Sequence, residues 1–251
     1  MNYFFMTEQK KQWYDLWFDS PLYHILYKNR DKEEAEHFID AVIKYLNITS
    51  GSILDLACGK GRHANYLAEK GLEVVGLDLS KESIHYASAA YTLSNLEFYV
   101  HDMRQPFRVN YFDYIFNFFT SIGYLNDLKE NEKVFEAMHA GLKDDGYILI
   151  DFMNAEKVIN NLVERETKEI DGYKFYLRRT VENGKIIKYI NIEKEEKVWM
   201  FREEVQALKQ HHFHQFLNNT GFTLVNEYGD YDLNAFNPKR SDRYILLAKK
   251  K

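Results

Sequence analysis

A glycine-rich stretch between residues 51 and 63 constrains the fold more than any other part of the chain. It opens with residues 52–56, a short apolar run typical of a parallel strand buried on both faces. Gly59 and Gly61 interrupt the run, and the pattern over residues 62–70 then predicts a helix. A strand that ends at glycines and leads into a helix presents bare backbone and a helix N-terminus to a ligand.

A second predicted strand ends at an acidic residue. Residues 72–77 are mostly apolar, and Asp78 follows them, roughly 20 positions beyond the glycines. A carboxylate in this place can accept hydrogen bonds from both hydroxyls of a ribose. The further predicted strands are residues 96–100, 112–119 and 147–152, and the helices between them are residues 81–91 and 127–142.

Taken together, these residues resemble the class I S-adenosylmethionine-dependent methyltransferases. The first motif of that family is an acidic residue, two small residues and Gly-x-Gly, which corresponds here to residues 55–61. The resemblance continues through Asp78 and Asp102 to residues 112–125 and 146–151, so it covers most of the chain. It implies a Rossmann-like α/β sheet, mostly parallel, with a C-terminal antiparallel hairpin and, in this chain, a small antiparallel β insertion. It also implies S-adenosylmethionine as the cofactor.

The resemblance indicates where that cofactor would bind. In this family an acidic residue after the third strand accepts a hydrogen bond from the adenine amino group, and the next backbone amide meets a ring nitrogen. Asp102 and Met103 match those positions, although an Asp after a strand is also a common turn former. Phe118 is the residue expected to touch the cofactor after the fourth strand. The full set of expected cofactor-binding residues is Tyr23, Arg30, Asp55, Ala57, Gly59, Gly61, Asp78, Leu79, Asp102, Met103 and Phe118.

A tyrosine-rich segment at residues 22–27 precedes the core. In related methyltransferases such a segment folds over the methionine end of the cofactor. Tyr23, Tyr27 and Arg30 match it, and Arg30 could meet the cofactor's carboxylate. The alternative is a helix that buries its aromatic side chains in the core.

The candidate catalytic residues are Tyr124, Tyr27 and His24. Tyr124 lies a few residues beyond the fourth strand, where related enzymes place a His or Tyr that faces the methyl acceptor. There it would orient the acceptor or remove its proton. The alternative for Tyr124 is an aromatic ring that packs under the insertion. Tyr27 and His24 are weaker candidates for removing the proton.

The chain divides into three predicted regions. Residues 1–50 form an N-terminal helical cap, and residues 51–152 and 203–251 form the cofactor-binding core. Residues 153–202 form an antiparallel β insertion that acts as a lid or as a dimer contact. In the insertion the sequence predicts a helix at residues 155–168 and about three strands within residues 173–202. In the last part of the core it predicts a helix at 203–220 and a final hairpin of strands at 222–228 and 242–248.

Charge and composition restrict the molecules that the protein is expected to bind. The net charge of −5 gives no general attraction to phosphate backbones, so nucleic acid is a disfavoured substrate. A single cysteine, Cys58, fits a reducing cytoplasm, and every apolar run is interrupted before it reaches membrane-spanning length. His211, His212 and His214 form a cluster, but neighbouring residues of a helix point about 100° apart. His211 and His214 could share one ion, but no partner carboxylate stands at the right spacing, so we expect no metal. We expect a cytoplasmic protein that binds a small-molecule methyl acceptor and could form a homodimer.

Two other interpretations stay open from the sequence. Residues 59–64 also fit the G-x-G-x-x-A fingerprint of a nicotinamide or flavin Rossmann enzyme, although Asp55, Asp102 and the terminal hairpin favour a methyltransferase. A non-catalytic protein that binds S-adenosylmethionine is the other alternative. Methyl transfer requires little from the protein beyond orientation, desolvation and proton removal. The sequence therefore does not distinguish an enzyme from a non-catalytic protein that binds S-adenosylmethionine.

The stretch after the fourth strand bears on the acceptor. Enzymes that methylate amino groups of DNA carry Asn- or Asp-Pro-Pro-Tyr there, whereas residues 117–120 are Asn-Phe-Phe-Thr. The fourth-strand stretch and the insertion resemble N-methyltransferases of amino sugars more than any other subgroup. We expect methyl transfer to a nitrogen or oxygen of a small molecule. An amine needs only to lose its proton before attack, whereas a hydroxyl requires a general base.

Overall fold

The computed structural model describes residues 13–28 and 32–251. The helices are α1 (Trp13–Phe18), α2 (Pro21–Leu26), α3 (Lys32–Leu46), α4 (Arg62–Glu69), α5 (Lys81–Ala90), α6 (Leu128–Gly141), α7 (Ala155–Asn160) and α8 (Gln210–Thr220). The strands are β1 (Ser52–Leu56), β2 (Glu73–Asp78), β3 (Leu96–Val100), β4 (Phe112–Asn117), β5 (Leu142–Met153), β6 (Arg165–Ile170), β7 (Tyr173–Glu182), β8 (Lys185–Lys194), β9 (Lys197–Gln206), β10 (Phe222–Tyr228) and β11 (Arg243–Lys250). None of the described helices is both long enough and apolar enough to cross a membrane.

Seven strands form the main sheet, in the order β10-β11-β5-β4-β1-β2-β3. Strands β1 to β5 run parallel, β11 is antiparallel to β5, and β10 is antiparallel to β11. This topology confirms the predicted fold, a mostly parallel sheet closed by an antiparallel hairpin. The strand order reverses between β1 and β4, and open parallel sheets bind ligands at the carboxyl ends of their strands at such a point.

Apolar clusters cover both faces of the main sheet. One cluster contains Phe135 of α6 and Phe213 of α8, and the other contains Phe38 of α3 and Leu67 of α4. Parallel strands that are buried on both faces read as nearly continuous apolar runs, which is the pattern of β1 and β4. This packing fixes the carboxyl ends of the strands, where the loops of the site begin.

Four antiparallel strands form a separate sheet in the order β6-β7-β8-β9, which we call the insertion sheet. Asn183 and Gly184 connect β7 to β8 with φ of 50° and 73°. Positive φ at both positions is the type I′ hairpin turn that Asn-Gly predicts. Within the predicted N-terminal region of residues 1–50, the name cap is kept from here on for residues 13–28, which pack on this sheet through a third apolar cluster. That cluster contains Trp17, Leu22, Leu26, Phe175, Leu177, Ile190 and Ile192. The cap and the insertion sheet therefore share one small core.

The structure differs from the prediction at the C-terminal end of the insertion sheet. The helix predicted over residues 203–220 begins only at Gln210, because β9 continues through Glu203. Glu203 lies opposite Lys188 of β8 and forms an ion pair with it at 3.4 Å. Charged residues of β9 pair with charged residues on the neighbouring strand. In the sequence alone, these polar residues resembled the exposed face of a helix.

The N-terminal side of the insertion sheet differs for a similar reason. The helix predicted over residues 155–168 ends at Asn160, and residues 165–170 form β6. This strand lies at the edge of its sheet and is mostly charged, as edge strands commonly are. Glu166 of β6 forms an ion pair with Arg179 of β7 at 2.6 Å. The insertion sheet has four strands, where the sequence predicts about three.

The ends of β4 and β5 also differ from the prediction. β4 stops at Asn117, two residues before the predicted end, because Phe119 and Thr120 have φ of 61° and 58° and leave the strand conformation. β5 begins at Leu142, five residues before the predicted start at residue 147, and its pairing with β4 is irregular between Leu142 and Tyr147.

Candidate active site

A cavity of about 400 Å³ lies between the cap and the loops that follow β1, β2, β3 and β4. It sits at the point where the strand order reverses, and its size is typical of a small-ligand site. The cap forms its roof and the strand-end loops form its floor. The predicted site residues that line it are Tyr23, His24, Tyr27, Ala57, Gly59, Asp78, Leu79, Asp102, Met103, Phe118 and Tyr124.

Asp78 ends β2 with its carboxylate held by two backbone amides. The Gly59 N–H donates to Oδ2 and the Ser80 N–H donates to Oδ1, each at 2.8 Å. Burial raises the pKa of Asp78, and these two amides counteract part of that effect. Each carboxylate oxygen has further lone-pair capacity, so Asp78 can still accept hydrogen bonds from two hydroxyls of a ligand.

Asp55 and Gly61 lie behind the cavity lining and not within it. Asp55 is 1% exposed, and its carboxylate oxygens have no hydrogen-bond partner within residues 13–28 and 32–251. Burial raises the pKa of Asp55 to about 7, against the opposing effect of the nearby Ala64 amide. Gly61 has a φ of 79°, and a Cβ atom there would lie 2.6 Å from the ring of Phe98. Neither residue therefore lines the cavity, and close packing against Phe98 requires glycine at position 61.

Asp102 lines the cavity, and Arg104 holds its carboxylate. The Arg104 Nε donates to both carboxylate oxygens at 3.0 Å, while Nη2 donates to Oδ2 at 2.5 Å. The remaining guanidinium nitrogen, Nη1, bonds Glu130 of α6. Burial alone would raise the pKa of Asp102, but the bonds from Arg104 outweigh it and the pKa lies below its ordinary value. The carboxylate is therefore charged and oriented, as a partner for an amino group requires.

Aromatic rings form the wall after β4. Phe118 is 3% exposed, and its ring centroid lies 4.7 Å from that of His63 on α4. Phe119 stacks on the same imidazole at 5.3 Å, and the Arg62 guanidinium lies 4.7 Å from the Phe119 ring centroid. The left-handed backbone at Phe119 and Thr120 brings this ring against the cavity.

Tyr124 lines the cavity and also packs against the cap. Its ring centroid lies 5.5 Å from that of Trp13 and 5.2 Å from that of Phe18. Phe18 in turn lies 5.0 Å from Tyr23. Two ring contacts of Tyr124 therefore come from the cap. Its neighbours Gly123 and Leu125 accept hydrogen bonds from Gln206 of β9, so both alternatives for Tyr124 stay predictions.

Tyr27 connects the cavity to the insertion sheet. Its hydroxyl donates to the Glu203 carboxylate, at 2.6 Å from Oε1 and 2.9 Å from Oε2, and accepts a bond from Lys188. Trp17 Nε1 donates to the same carboxylate at 2.5 Å. The side chains of Lys188 and Glu203 are each 13% exposed. A nearly buried ion pair of the insertion sheet thus holds two side chains of the cap.

Two other predicted contacts concern the methionine end of the cofactor and the acceptor. His24 lines the cavity beside Tyr23, with ring centroids 5.2 Å apart. Arg30 lies outside the described residues, so its contact stays a prediction.

The histidines of α8 contribute nothing to the cavity lining. His214 bonds Glu227 of β10 at 2.7 Å, and the rings of His211 and His212 lie 3.9 Å apart. Among the residues that the structure describes, no group of three or more His, Cys, Asp or Glu side chains is placed to hold a metal ion.

The sequence matches the family model described as "Methyltransferase domain" over residues 49–221, which is more than half of the chain. The chain belongs to this family. The match confirms the predicted family and enzyme class, the S-adenosylmethionine-dependent methyltransferases, and with them the predicted cofactor.

Individual methyltransferases show how far the similarity extends. A dTDP-3-amino-3,4,6-trideoxy-alpha-D-glucopyranose N,N-dimethyltransferase of Streptomyces venezuelae is 26% identical over 132 residues, 52% of this chain and 55% of that protein. A glycine/sarcosine/dimethylglycine N-methyltransferase of Actinopolyspora halophila is 25% identical over 98% of this chain and 43% of its own length. The chain spans about half the length of the curated relatives it matches.

A solved structure shows the same fold over nearly the whole chain. The crystal structure of an S-adenosylmethionine-dependent methyltransferase from Clostridium acetobutylicum ATCC 824 superposes with a TM-score of 0.76. The two sequences are 20% identical, and the superposition covers 90% of this chain and 95% of the other. At 20% identity this similarity establishes the fold of the chain and does not identify its methyl acceptor.

Several residues that build the site were not predicted from the sequence. Arg104 stands two positions beyond Asp102, so its spacing in one turn could have indicated the pairing. Glu203 and Lys188 carried no such signal, because Glu203 is 176 residues from Tyr27 and lies on a strand that was predicted as a helix. Long-range side-chain contacts of this kind leave no local pattern in a single sequence.

Proposed function

We propose that this methyltransferase transfers the methyl group of S-adenosylmethionine to a nitrogen of a small organic molecule bound beneath the cap. The observation that carries the proposal is the placement of Asp78 and Asp102. Two oriented carboxylates stand at the ends of adjacent parallel strands, and both line a cavity of about 400 Å³. That arrangement suits a nucleoside, with a ribose diol at one carboxylate and an exocyclic amino group at the other.

The residues on the floor of the cavity fit the cofactor. Asp78 would accept hydrogen bonds from the ribose hydroxyls, and Asp102 would accept one from the adenine amino group. The Met103 amide would meet an adenine ring nitrogen, and Leu79 and Phe118 would pack on the base and ribose. The remaining floor contacts would come from the glycine loop at Ala57 and Gly59.

The residues of the roof would face the methionine end of the cofactor and the acceptor. S-adenosylmethionine supplies a methyl group already activated on a positively charged sulfur, so the protein has only to orient the acceptor, exclude water and accept a proton. Tyr23 and Arg30 would hold the methionine end. Tyr124 would orient the acceptor, with His24 close to the same wall.

Tyr27 offers a route for the acceptor's proton. Its hydroxyl donates to Glu203, so Tyr27 can take a proton on its oxygen while it passes its own proton to that carboxylate. Tyrosine hydroxyls are weak bases near neutral pH, which suits an amine better than a hydroxyl acceptor. The two curated relatives named above also carry N-methyltransferase names.

The shared core of cap and insertion sheet supports a lid function for the insertion. The ion pair of Lys188 and Glu203 holds the cap from outside the cavity, so the insertion would stabilise the closed roof. A homodimer contact is the competing proposal, and the oligomeric state in solution separates the two. The buried free thiol of Cys58 suits a reducing cytoplasm as the place of action.

A methyl-transfer screen with labelled cofactor tests the proposed reaction. Amines, alcohols and thiols of similar size would be compared, with S-adenosylhomocysteine formation as the readout. We expect turnover with a subset of primary or secondary amines. Turnover with alcohols alone would contradict the nitrogen assignment. Binding of S-adenosylmethionine without turnover of any acceptor class would favour the non-catalytic interpretation.

A further inference from the structure

The turn after β4 has an unfavourable backbone conformation. Phe119 and Thr120 are consecutive non-glycine residues with φ of 61° and 58°. This left-handed region crowds any residue with a Cβ atom, and a β-branched residue such as Thr is a marked outlier there. Such conformations persist only where the surrounding structure enforces them, and they occur preferentially at functional sites.

Asp151 enforces this conformation from the carboxyl end of β5. The side chain is fully buried, and its Oδ2 accepts a hydrogen bond from the Phe119 N–H at 3.0 Å. The Asp151 carbonyl accepts one from the Thr120 N–H at 2.9 Å. The Met153 N–H donates to the Thr120 hydroxyl at 3.0 Å. Both residues of the turn are therefore tied to one short segment of β5.

Arg243 and Tyr231 complete the attachment. Arg243 Nε donates to Asp151 Oδ1 at 2.7 Å, and its Nη2 donates to the Thr120 hydroxyl at 3.2 Å. The Tyr231 hydroxyl donates to Asp151 Oδ2 at 3.2 Å. Burial and the Asp151 charge raise the pKa of Tyr231, so this hydroxyl stays protonated and remains a donor. Both carboxylate oxygens are thus occupied.

We propose that Asp151 and Arg243 are positioning residues, whose ion pair of a fully buried Asp151 and a partly exposed Arg243 holds Phe119 and Thr120 in the left-handed conformation that shapes the cavity. Neither residue lines the cavity, whereas Phe119, Ser121 and Tyr124 do. The inference rests on the proposed function, since it takes this cavity as the site of the cofactor and acceptor. Burying the Asp151 carboxylate costs desolvation, and an ion pair with a buried partner is seldom more stabilising than a well-packed apolar pair, so a role in conformation accounts for its presence better than stability does.

Substitutions at two positions isolate the backbone effect. Asp151→Asn keeps the shape of the side chain but leaves one acceptor oxygen for donors on both sides. Thr120→Gly and Thr120→Ala both remove the hydroxyl, but only glycine adopts a positive φ without strain. Each change at position 120 is made alone and together with Asp151→Asn. Within either background, the glycine and alanine proteins differ in the strain of the turn and in the freedom of the unfolded chain, and the second difference is the same in both backgrounds.

Calorimetric titration with S-adenosylhomocysteine gives the first readout. With Asp151 present, the Thr120→Gly and Thr120→Ala proteins should bind equally well, because the turn is enforced in both. In the Asp151→Asn background, the Thr120→Ala protein should bind about tenfold more weakly than the Thr120→Gly protein. Equal affinities of these two proteins in the Asp151→Asn background would overturn the inference.

Thermal unfolding gives a second readout that needs no ligand. The difference in midpoint between the Thr120→Gly and Thr120→Ala proteins should be larger with Asp151 than with Asp151→Asn, since strain counts only where it is enforced. An identical difference in both backgrounds would contradict the inference. If the wild-type protein failed to bind S-adenosylhomocysteine, the proposed function would fall, and the unfolding comparison would still decide on Asp151. If Asp151→Asn did not fold, Arg243→Lys would carry the same comparison.

Discussion

The floor and the roof of the cavity are built in different ways. On the floor, short loops present backbone amides and carboxylates, and the partners lie close in sequence. Gly59 and Asp78 are 19 residues apart, and Asp78 and Ser80 are two apart. In the roof, Tyr27 and Trp17 reach Glu203 across 176 and 186 residues. The floor is built on the ends of the main-sheet strands and meets the cap at a bond from Ser80 to Asp19, whereas the roof requires the cap and the insertion sheet together.

This difference separates two tasks of a methyltransferase. A rigid floor on a sheet buried on both faces suits a cofactor that every member of the class must bind. A roof assembled from distant segments can change its side chains without disturbing the floor. We therefore expect changes in the floor to affect cofactor affinity and changes in the roof to affect turnover and stability.

The largest expected effect follows from removing the carboxylate of Asp78. Asp78→Ala would leave two ribose hydroxyls unpaired, and charge-assisted hydrogen bonds contribute about 1.5–3 kcal/mol each. Affinity for S-adenosylhomocysteine, measured by calorimetry, should fall at least tenfold. Glu73→Ala, an exposed change at the start of the same strand, is the control and should leave the affinity unchanged. An unaltered dissociation constant in folded Asp78→Ala would place the ribose elsewhere.

In the roof, Glu203→Gln would leave Lys188 without its charged partner in a nearly buried site. Losing one partner of such a pair costs about 3 kcal/mol, so the free energy of unfolding in urea should fall by about that amount. Cofactor affinity should stay within a few-fold of wild type. Glu204→Gln is the matched control, since Glu204 is the next residue and pairs with Lys185 and Arg202. A large loss of cofactor affinity in Glu203→Gln would show that the roof and the floor act as one unit.

The pH dependence of the free energy of unfolding tests the protonation of Asp55, a buried residue that precedes the glycine loop. Burial raises the pKa of Asp55 to about 7, whereas an unfolded chain has an Asp pKa of about 3.9. Between these values the folded protein retains a proton that the unfolded chain has lost, so this residue lowers stability as pH rises and has no further effect above pH 7. Asp55→Asn removes this titration. Its stability relative to wild type, from urea unfolding, should increase by about 2 kcal/mol from pH 5 to pH 8. A constant difference over that range would show that Asp55 is charged throughout.

The smallest expected effect concerns the hydroxyl of Tyr124. Because Tyr124 packs between the cap and the cavity, Tyr124→Phe keeps the ring contacts and removes only the hydroxyl. A positioning hydroxyl should lower turnover by less than tenfold and leave cofactor affinity intact, whereas a true general base contributes about 10²–10⁴-fold. Steady-state kinetics with an acceptor found in the screen measure the loss. A fall in cofactor affinity alone would assign Tyr124 to the cofactor.

The same contrast explains how much the sequence could predict. The bounds of β1 and β3 agree with the strands predicted at residues 52–56 and 96–100. Asp78 was predicted from its place at the end of the second strand, roughly 20 residues beyond the glycines, and Asp102 from the resemblance to the methyltransferase family. Their loops are short, so the position in sequence nearly fixes the position in space.

What escaped prediction depended on pairing between distant segments. β6 and the second half of β9 carry charges whose partners sit on neighbouring strands, so their composition suggested helices. Asp151 and Arg243 meet only when β5 and β11 pair in their observed register. The early end of β4 also escaped prediction, because the turn at Phe119 is enforced by residues that lie beyond the fourth strand in sequence.

Calorimetric titration of the purified wild-type protein with S-adenosylhomocysteine, and in parallel with NAD, tests the central claim most directly. The carboxylates of Asp78 and Asp102 line one cavity of nucleoside size, and the chain belongs to the methyltransferase domain family. We predict saturable binding of S-adenosylhomocysteine at one site per chain and negligible binding of NAD. Tight binding of NAD with no binding of S-adenosylhomocysteine would contradict the account.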